Sequence, residues 1–213
     1  MVHPLAEGTI LQQRYQIIAQ VAEGDYSTVY LAQDLLFKSL KKSVIVKARQ
    51  FSSSDPNLRE MEIRNIEREA DVLATLSHPA IPRMYDYFTT GHESYMVMEA
   101  VGGKDLATLL NEEENFLAEE RVAAWAVEIC DLLEYLHGHR PFPMIHRDVK
   151  PRHVMVDSHE RIRVVGFALA RFYQHGQKGQ AVGTGGYSPP EQYEGIAEPR
   201  SDIFAQARLC TTS

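Results

Sequence analysis

The hydrophobic pattern of this chain changes period at one place, and that change limits what the chain can become. Up to Met98 the apolar runs are mostly short and β-prone: Tyr15 to Val21, Ser27 to Ala32, Ser43 to Ala48, Met84 to Phe88 and Tyr95 to Met98. Beyond Gly102-Gly103 the next long element has helical spacing, with Val122, Trp125, Ile129, Leu133 and Leu136 on one face and Gly138 at its end. One helix interrupts the strands. Asp55-Pro56 reads as its N-cap and first position, Leu58, Ile66, Ala70, Leu73 and Leu76 as its apolar stripe, and Ser77-His78-Pro79 as its stop. The expectation is an α+β chain of two lobes, the first an antiparallel sheet with one helix and the second mainly helical, hinged at Gly102-Gly103.

Composition narrows the function. With 44% hydrophobic residues, 24% charged and a net charge of -7, the chain has core enough for one large domain or two small lobes, and no attraction for nucleic acid or an anionic membrane. No apolar run approaches the roughly 20 residues of a membrane span, and the N-terminus has no cationic stretch leading into an apolar one. A cytoplasmic location is expected. Cys130 and Cys210 read as free thiols, and Glu112-Glu113-Glu114 as a solvated helix end or loop.

The chemistry-bearing motifs come in a definite order. They are Ala22-Glu23-Gly24-Asp25-Tyr26-Ser27-Thr28-Val29, Val44-Ile45-Val46-Lys47, Ile66-Glu67-Arg68-Glu69-Ala70, Tyr95-Met96-Val97-Met98-Glu99-Ala100-Val101 and His146-Arg147-Asp148-Val149-Lys150-Pro151. Gly183-Thr184-Gly185-Gly186-Tyr187-Ser188-Pro189-Pro190-Glu191 and Ser201-Asp202-Ile203-Phe204 follow. From Arg14 to Asp202 this series resembles the bacterial-type Ser/Thr protein kinase family. The resemblance implies a bilobal kinase-like fold, with an N-terminal extension over 1–13, an N-lobe over 14–101 and a partial C-lobe over 102–213.

It also implies roles. Lys47, anchored by Glu69, would reach the phosphates of ATP; the backbones of Glu99 and Val101 would meet the adenine edge, with Met98 as gatekeeper. Val21, Gly24, Val29, Ile45 and Met155 complete the nucleotide-binding set. Asp148 would accept the proton of the substrate hydroxyl, Lys150 would stand beside the γ-phosphate, and Asp202 would steady the catalytic loop.

The departures from the family pattern are as informative as the matches. One glycine of three survives in the phosphate loop, and Ile45 replaces an alanine that packs over adenine, so weak ATP binding is expected. His153 stands where the family has asparagine and Gly166 where it has the aspartate of Asp-Phe-Gly. Magnesium is therefore expected to lack both protein ligands, and no metal site is assigned. His153 is read as a loop histidine. Between Leu169 and Val182 there is no Ser or Thr to act as a phosphorylation switch.

Where the resemblance implies Leu-Gly-Ala-Thr-Leu-Tyr-His-Leu after Ala205, this chain reads Gln206-Ala207-Arg208-Leu209-Cys210-Thr211-Thr212-Ser213, a run that one deleted base produces for a suitable choice of codons, so a frameshift, real or from sequencing, is the expected origin of a short C-lobe. A short C-lobe would leave apolar surface on the Trp125 helix open to a protein partner or to aggregation. The sequence thus reads as a truncated kinase-like chain that is catalytically dead or severely impaired, a pseudokinase or a degraded remnant. Its rivals are an active Ser/Thr kinase with an unusual metal site and a scaffold or regulator of an intact kinase.

Overall fold

The structure, a computed structural model, describes residues 4–24, 27–37, 39–51, 55–112 and 117–211. Asp25 and Tyr26 of the glycine loop, Glu113 and Glu114 of the acidic run, and Thr212-Ser213 lie outside the described residues. The chain forms two compact units: Met1–Thr75 with Pro82–Ala100, and Leu76–Ile81 with Val101–Ser213.

The first unit is built on strands β1 (Ile10–Leu11), β2 (Tyr15–Gly24), β3 (Ser27–Asp34) and β4 (Lys42–Gln50), then helix α1 (Pro56–Thr75), then β5 (Met84–Thr90) and β6 (Glu93–Glu99). The strands pair in the order β1-β2-β3-β4-β6-β5, and every pairing is antiparallel. Strict alternation sorts their side chains. Tyr30 and Ala32 on β3, Val44, Val46 and Ala48 on β4, and Tyr95 and Val97 on β6 join Tyr15 and Ile17 in one buried cluster. The opposite face of the sheet consequently carries Val29, Leu31, Ile45, Lys47, Met96 and Met98, set side by side by the pairing register.

Helix α1 starts where the sequence indicates, because Asp55 Oδ1 accepts the N–H groups of Asn57 and Leu58 at 2.8 and 3.4 Å. Ile66, Ala70 and Leu73 on the helix, and Leu76 just past its end, are buried as expected. Leu58 is not; it is 54% exposed. Eight residues separate it from Ile66, which places it about 80° around the helix from the buried stripe.

In the second unit, β7 (Lys104–Asp105) leads into α2 (Leu106–Glu112) and α3 (Glu119–His137), followed by β8 (Met144–Ile145), β9 (Val154–Val156), β10 (Ile162–Val164) and β11 (Arg171–Phe172). Helices α4 (Pro190–Tyr193) and α5 (Pro199–Thr211) close the described chain. The strands form two small antiparallel sheets, β10-β9-β7 and β11-β8. Segment 76–81 is tied to this unit by the Ser77 N–H on the Tyr135 hydroxyl at 2.8 Å and the Val164 N–H on Ala80 O at 2.7 Å.

Trp125, Ile129, Leu132, Leu133 and Leu136 of α3 are buried, which corrects the expectation of an open apolar face on that helix. Helix α5 supplies the cover, with Ala205 and Leu209 buried where it packs on α3. Gly103 is required for a different reason than hinge freedom. Its φ is +103°, and a Cβ there would lie 1.9 Å from Val156 O, so the pairing of β7 with β9 admits only glycine at that position.

Candidate active site

In the first unit, the two-residue period of β4 puts Lys47 and Arg49 on the same face, and α1 brings Glu69 up to both. Lys47 Nζ lies 2.8 Å from Glu69 Oε1 and Arg49 Nη2 3.1 Å from Oε2, while Glu69 is only 3% exposed. Burial pulls the Lys47 pKa below the ordinary lysine value, against the attraction of Glu69. The result is a buried carboxylate clasped by two cations. Arg49 has no place in the motif reading, although its spacing of two from Lys47 on a strand is the signal that reveals it.

The remaining nucleotide-set residues of this unit are spread along the sheet. Val29 is opposite Lys47 in the register and Ile45 lies between Leu31 and Met98. Val21 is 53% exposed on β2. Gly24 ends β2 with room for a side chain, since a Cβ there would meet only Ser27 at ordinary contact distances of 3.5 and 3.6 Å. Glu99 ends β6 with its N–H on Arg83 O at 2.8 Å.

The second unit assembles the catalytic loop around two aspartates. Buried Asp202 at the start of α5 accepts the main-chain N–H groups of His146 and Arg147 at 2.9 and 2.8 Å and lies 3.0 Å from His137 Nε2. Gln192 adds a bond of 2.7 Å to Arg147 O. The loop is thus fixed from both flanks. Asp148 Oδ1 accepts the Thr184 hydroxyl at 2.7 Å, and its Oδ2 accepts Lys150 Nζ at 2.8 Å; Lys150 also reaches Thr184 Oγ1 at 3.3 Å. Burial alone would raise the Asp148 pKa, but His153, Lys150 and Thr184 outweigh it and hold the carboxyl below its usual range. Asp148 and Lys150 are therefore brought together, with Thr184 as a third member. Met155 is half-buried on β9 opposite Asp105, and Val101 is half-buried at the start of the unit.

The two positions at which the resemblance places metal ligands, 153 and 166, are side by side. His153 closes a short helical turn, Pro151–His153, and its Nδ1 lies 2.9 Å from Asp148 O and 3.3 Å from Asp148 Oδ2. Because a carbonyl can only accept, Nδ1 carries the proton and donates. Burial lowers the His153 pKa to about 4, so the ring is neutral at pH 7. His153, read from the sequence as a simple loop histidine, is bonded and partly buried at the end of that turn. Gly166 has a φ of +81° and offers no side chain at all.

Magnesium takes hard oxygen ligands, so an imidazole nitrogen and a glycine do not fit it. Among the described residues, no group of three or more His, Cys, Asp or Glu is placed to hold a metal ion. Arg147, which the motif reading left without a role, donates to Gln180 O at 2.7 Å and Leu169 O at 3.4 Å.

The family model for the protein kinase domain matches residues 15–212. This chain belongs to the protein kinase family. Serine/threonine-protein kinase B of Synechocystis is 29% identical over 213 residues, covering 94% of this chain and 36% of that protein. The probable serine/threonine-protein kinase PknB of Lactococcus lactis is 31% identical, covering 93% of this chain and 31% of its own length. PknB of Mycolicibacterium smegmatis is 32% identical, covering 92% and 31%. The chain spans about a third of the length of these relatives. Kinase-family membership implies an ATP site, and the curled antiparallel sheet with one helix, followed by a short helical part, is the kinase-like α+β fold. No helix among the described residues is long and apolar enough to cross a membrane.

Proposed function

We propose that this chain is a Ser/Thr-kinase-like domain that does not carry out magnesium-dependent phosphoryl transfer: a pseudokinase that binds nucleotide weakly. One observation carries the reading. The two positions that should ligate the metal are an imidazole bonded to Asp148 O and a glycine, beside an otherwise well-formed Asp148, Lys150 and Thr184. The metal supplies several kcal/mol of charge stabilisation in such reactions, so a kinase without it loses on the order of a thousandfold or more in rate.

In this reading Lys47, steadied by Glu69, binds a phosphate group, and the strand face around Ile45 and Val29 meets the base. The intact arrangement at Asp148 favours the enzyme reading in its turn, because an ionised, hydrogen-bonded carboxylate beside Lys150 suits a substrate hydroxyl. Incubation with radiolabelled ATP and magnesium or manganese decides between the two. The pseudokinase predicts no label on the protein or on casein, whereas incorporation that Asp148→Asn abolishes would overturn it and establish the enzyme.

A further inference from the structure

We infer that His153 and Gly166 form one packed pair, in which the imidazole occupies the space that any side chain at 166 would need. The inference deepens the pseudokinase reading: the metal positions would be not merely emptied but filled. An ideal Cβ on Gly166 would lie 2.5, 2.6 and 2.7 Å from Cε1, Nδ1 and Cγ of His153. Real Cβ contacts are never that short. The threatened atoms include Cγ, at the root of the ring, so a small swing of the tip gives no relief.

The ring is also held where it is. Its Nδ1 donates to Asp148 O at 2.9 Å, the His153 N–H bonds Lys150 O at 2.9 Å, and the Val165 N–H bonds His153 O at 2.8 Å. That last bond pins the residue before Gly166 against the turn carrying the imidazole, so neither partner can withdraw alone. Behind them Pro151 is buried, and the His146 ring stands edge-on to Phe167 at 4.6 Å. A carboxylate returned to 166 by itself therefore meets the imidazole before it meets a cation. Gly166 carries a second constraint, its φ of +81°, which disfavours any side chain whatever residue 153 is.

A double-mutant cycle separates the two constraints, because backbone strain at 166 is common to both backgrounds while the clash is not. Thermal unfolding is measured for the parent, His153→Ala, Gly166→Ala and the double variant. Gly166→Ala should lower the Tm at least about twice as much in the parent as in the His153→Ala background. Equal losses in the two backgrounds would overturn the pairing. If Gly166→Ala alone yields no folded protein, recovery in the double variant is the same positive result, and failure of both overturns the inference.

The second arm uses ATP with and without magnesium as a thermal-shift probe. Gly166→Asp alone should gain no magnesium-dependent shift, and His153→Asn with Gly166→Asp should gain one. A full magnesium-dependent shift in Gly166→Asp alone would overturn the inference, since the imidazole would then give way. No magnesium response in either variant, with a non-additive alanine cycle, supports the packed pair and counts instead against the nucleotide site of the proposed function.

Discussion

At His153 the imidazole is partly buried, bonded through Nδ1–H to a carbonyl, and faces Asp148, Lys150 and His146. Burial penalises its charged form more than Asp148 favours it, which is why its pKa falls to about 4. In the unfolded chain the ring titrates near the ordinary histidine value of 6.5, so between pH 6.5 and 4 the unfolded state binds more protons than the folded one. Stability from this group is complete above that window and is lost as pH falls through it. From pH 7 to pH 5 the loss should be about 2 kcal/mol. Fully buried His146 is shifted in the same direction and adds to the acid sensitivity, whereas the Asp148 effect lies lower, below the ordinary carboxyl value of 3.8. Urea unfolding at the two pH values, with His153→Asn alongside the parent, measures the His153 share. An identical pH dependence in both proteins would contradict the assignment.

The activation segment, from Leu169 to Val182, is the element whose behaviour the structure most changes. It contains no Ser or Thr, and Tyr173 is its one hydroxyl. Arg147 instead holds the segment through the Leu169 and Gln180 carbonyls, and its own φ of 70° belongs to a loop fixed by Asp202 and Gln192. Order here comes from main-chain acceptors, so a phosphate is not needed to create it. Truncating Arg147 leaves both carbonyls without that donor, each a group that costs free energy when unpaired. Arg147→Ala should accelerate tryptic cleavage at the exposed Lys178 by about tenfold or more if opening of the segment limits cleavage, while sites elsewhere keep their rates. Unchanged cleavage at Lys178 would show that the segment is held by something else.

The same element marks the border of what the sequence made legible. The strands were readable because Tyr30, Val44, Val46 and Val97 alternate with outward residues, and the catalytic loop because its chemistry sits in six consecutive residues. Arg49, Arg147 and the packing of His153 on Gly166 were not, since each depends on which main-chain atoms or side chains fold back from distant positions. Leu58 was misplaced for a local reason: its identity is apolar, but its angle around α1 is wrong.

For the whole molecule the decisive question is whether a nucleotide binds and whether magnesium matters to it. The kinase-family match covers residues 15–212, yet the chain spans about a third of its relatives' length, so the activity of the whole relatives does not transfer with the fold. In the proposed reading the phosphate anchor is Lys47, held at 2.8 Å from a buried Glu69 that Arg49 also engages. Against it stand Ile45 on the strand face where a base would pack and the absence of oxygen ligands at 153 and 166. A ligand that binds only the native state raises stability by RT ln(1 + [L]/Kd), so ATP at a concentration equal to its Kd adds only about 0.4 kcal/mol. The expected thermal shift with millimolar ATP is accordingly small, within about 1 °C the same in magnesium and in chelator, and absent in Lys47→Met. Ile45→Ala should enlarge it by relieving the crowding of the base. A shift of several degrees that requires magnesium would mean that the cation is held by groups other than residues 153 and 166, and the pseudokinase reading would fall with it.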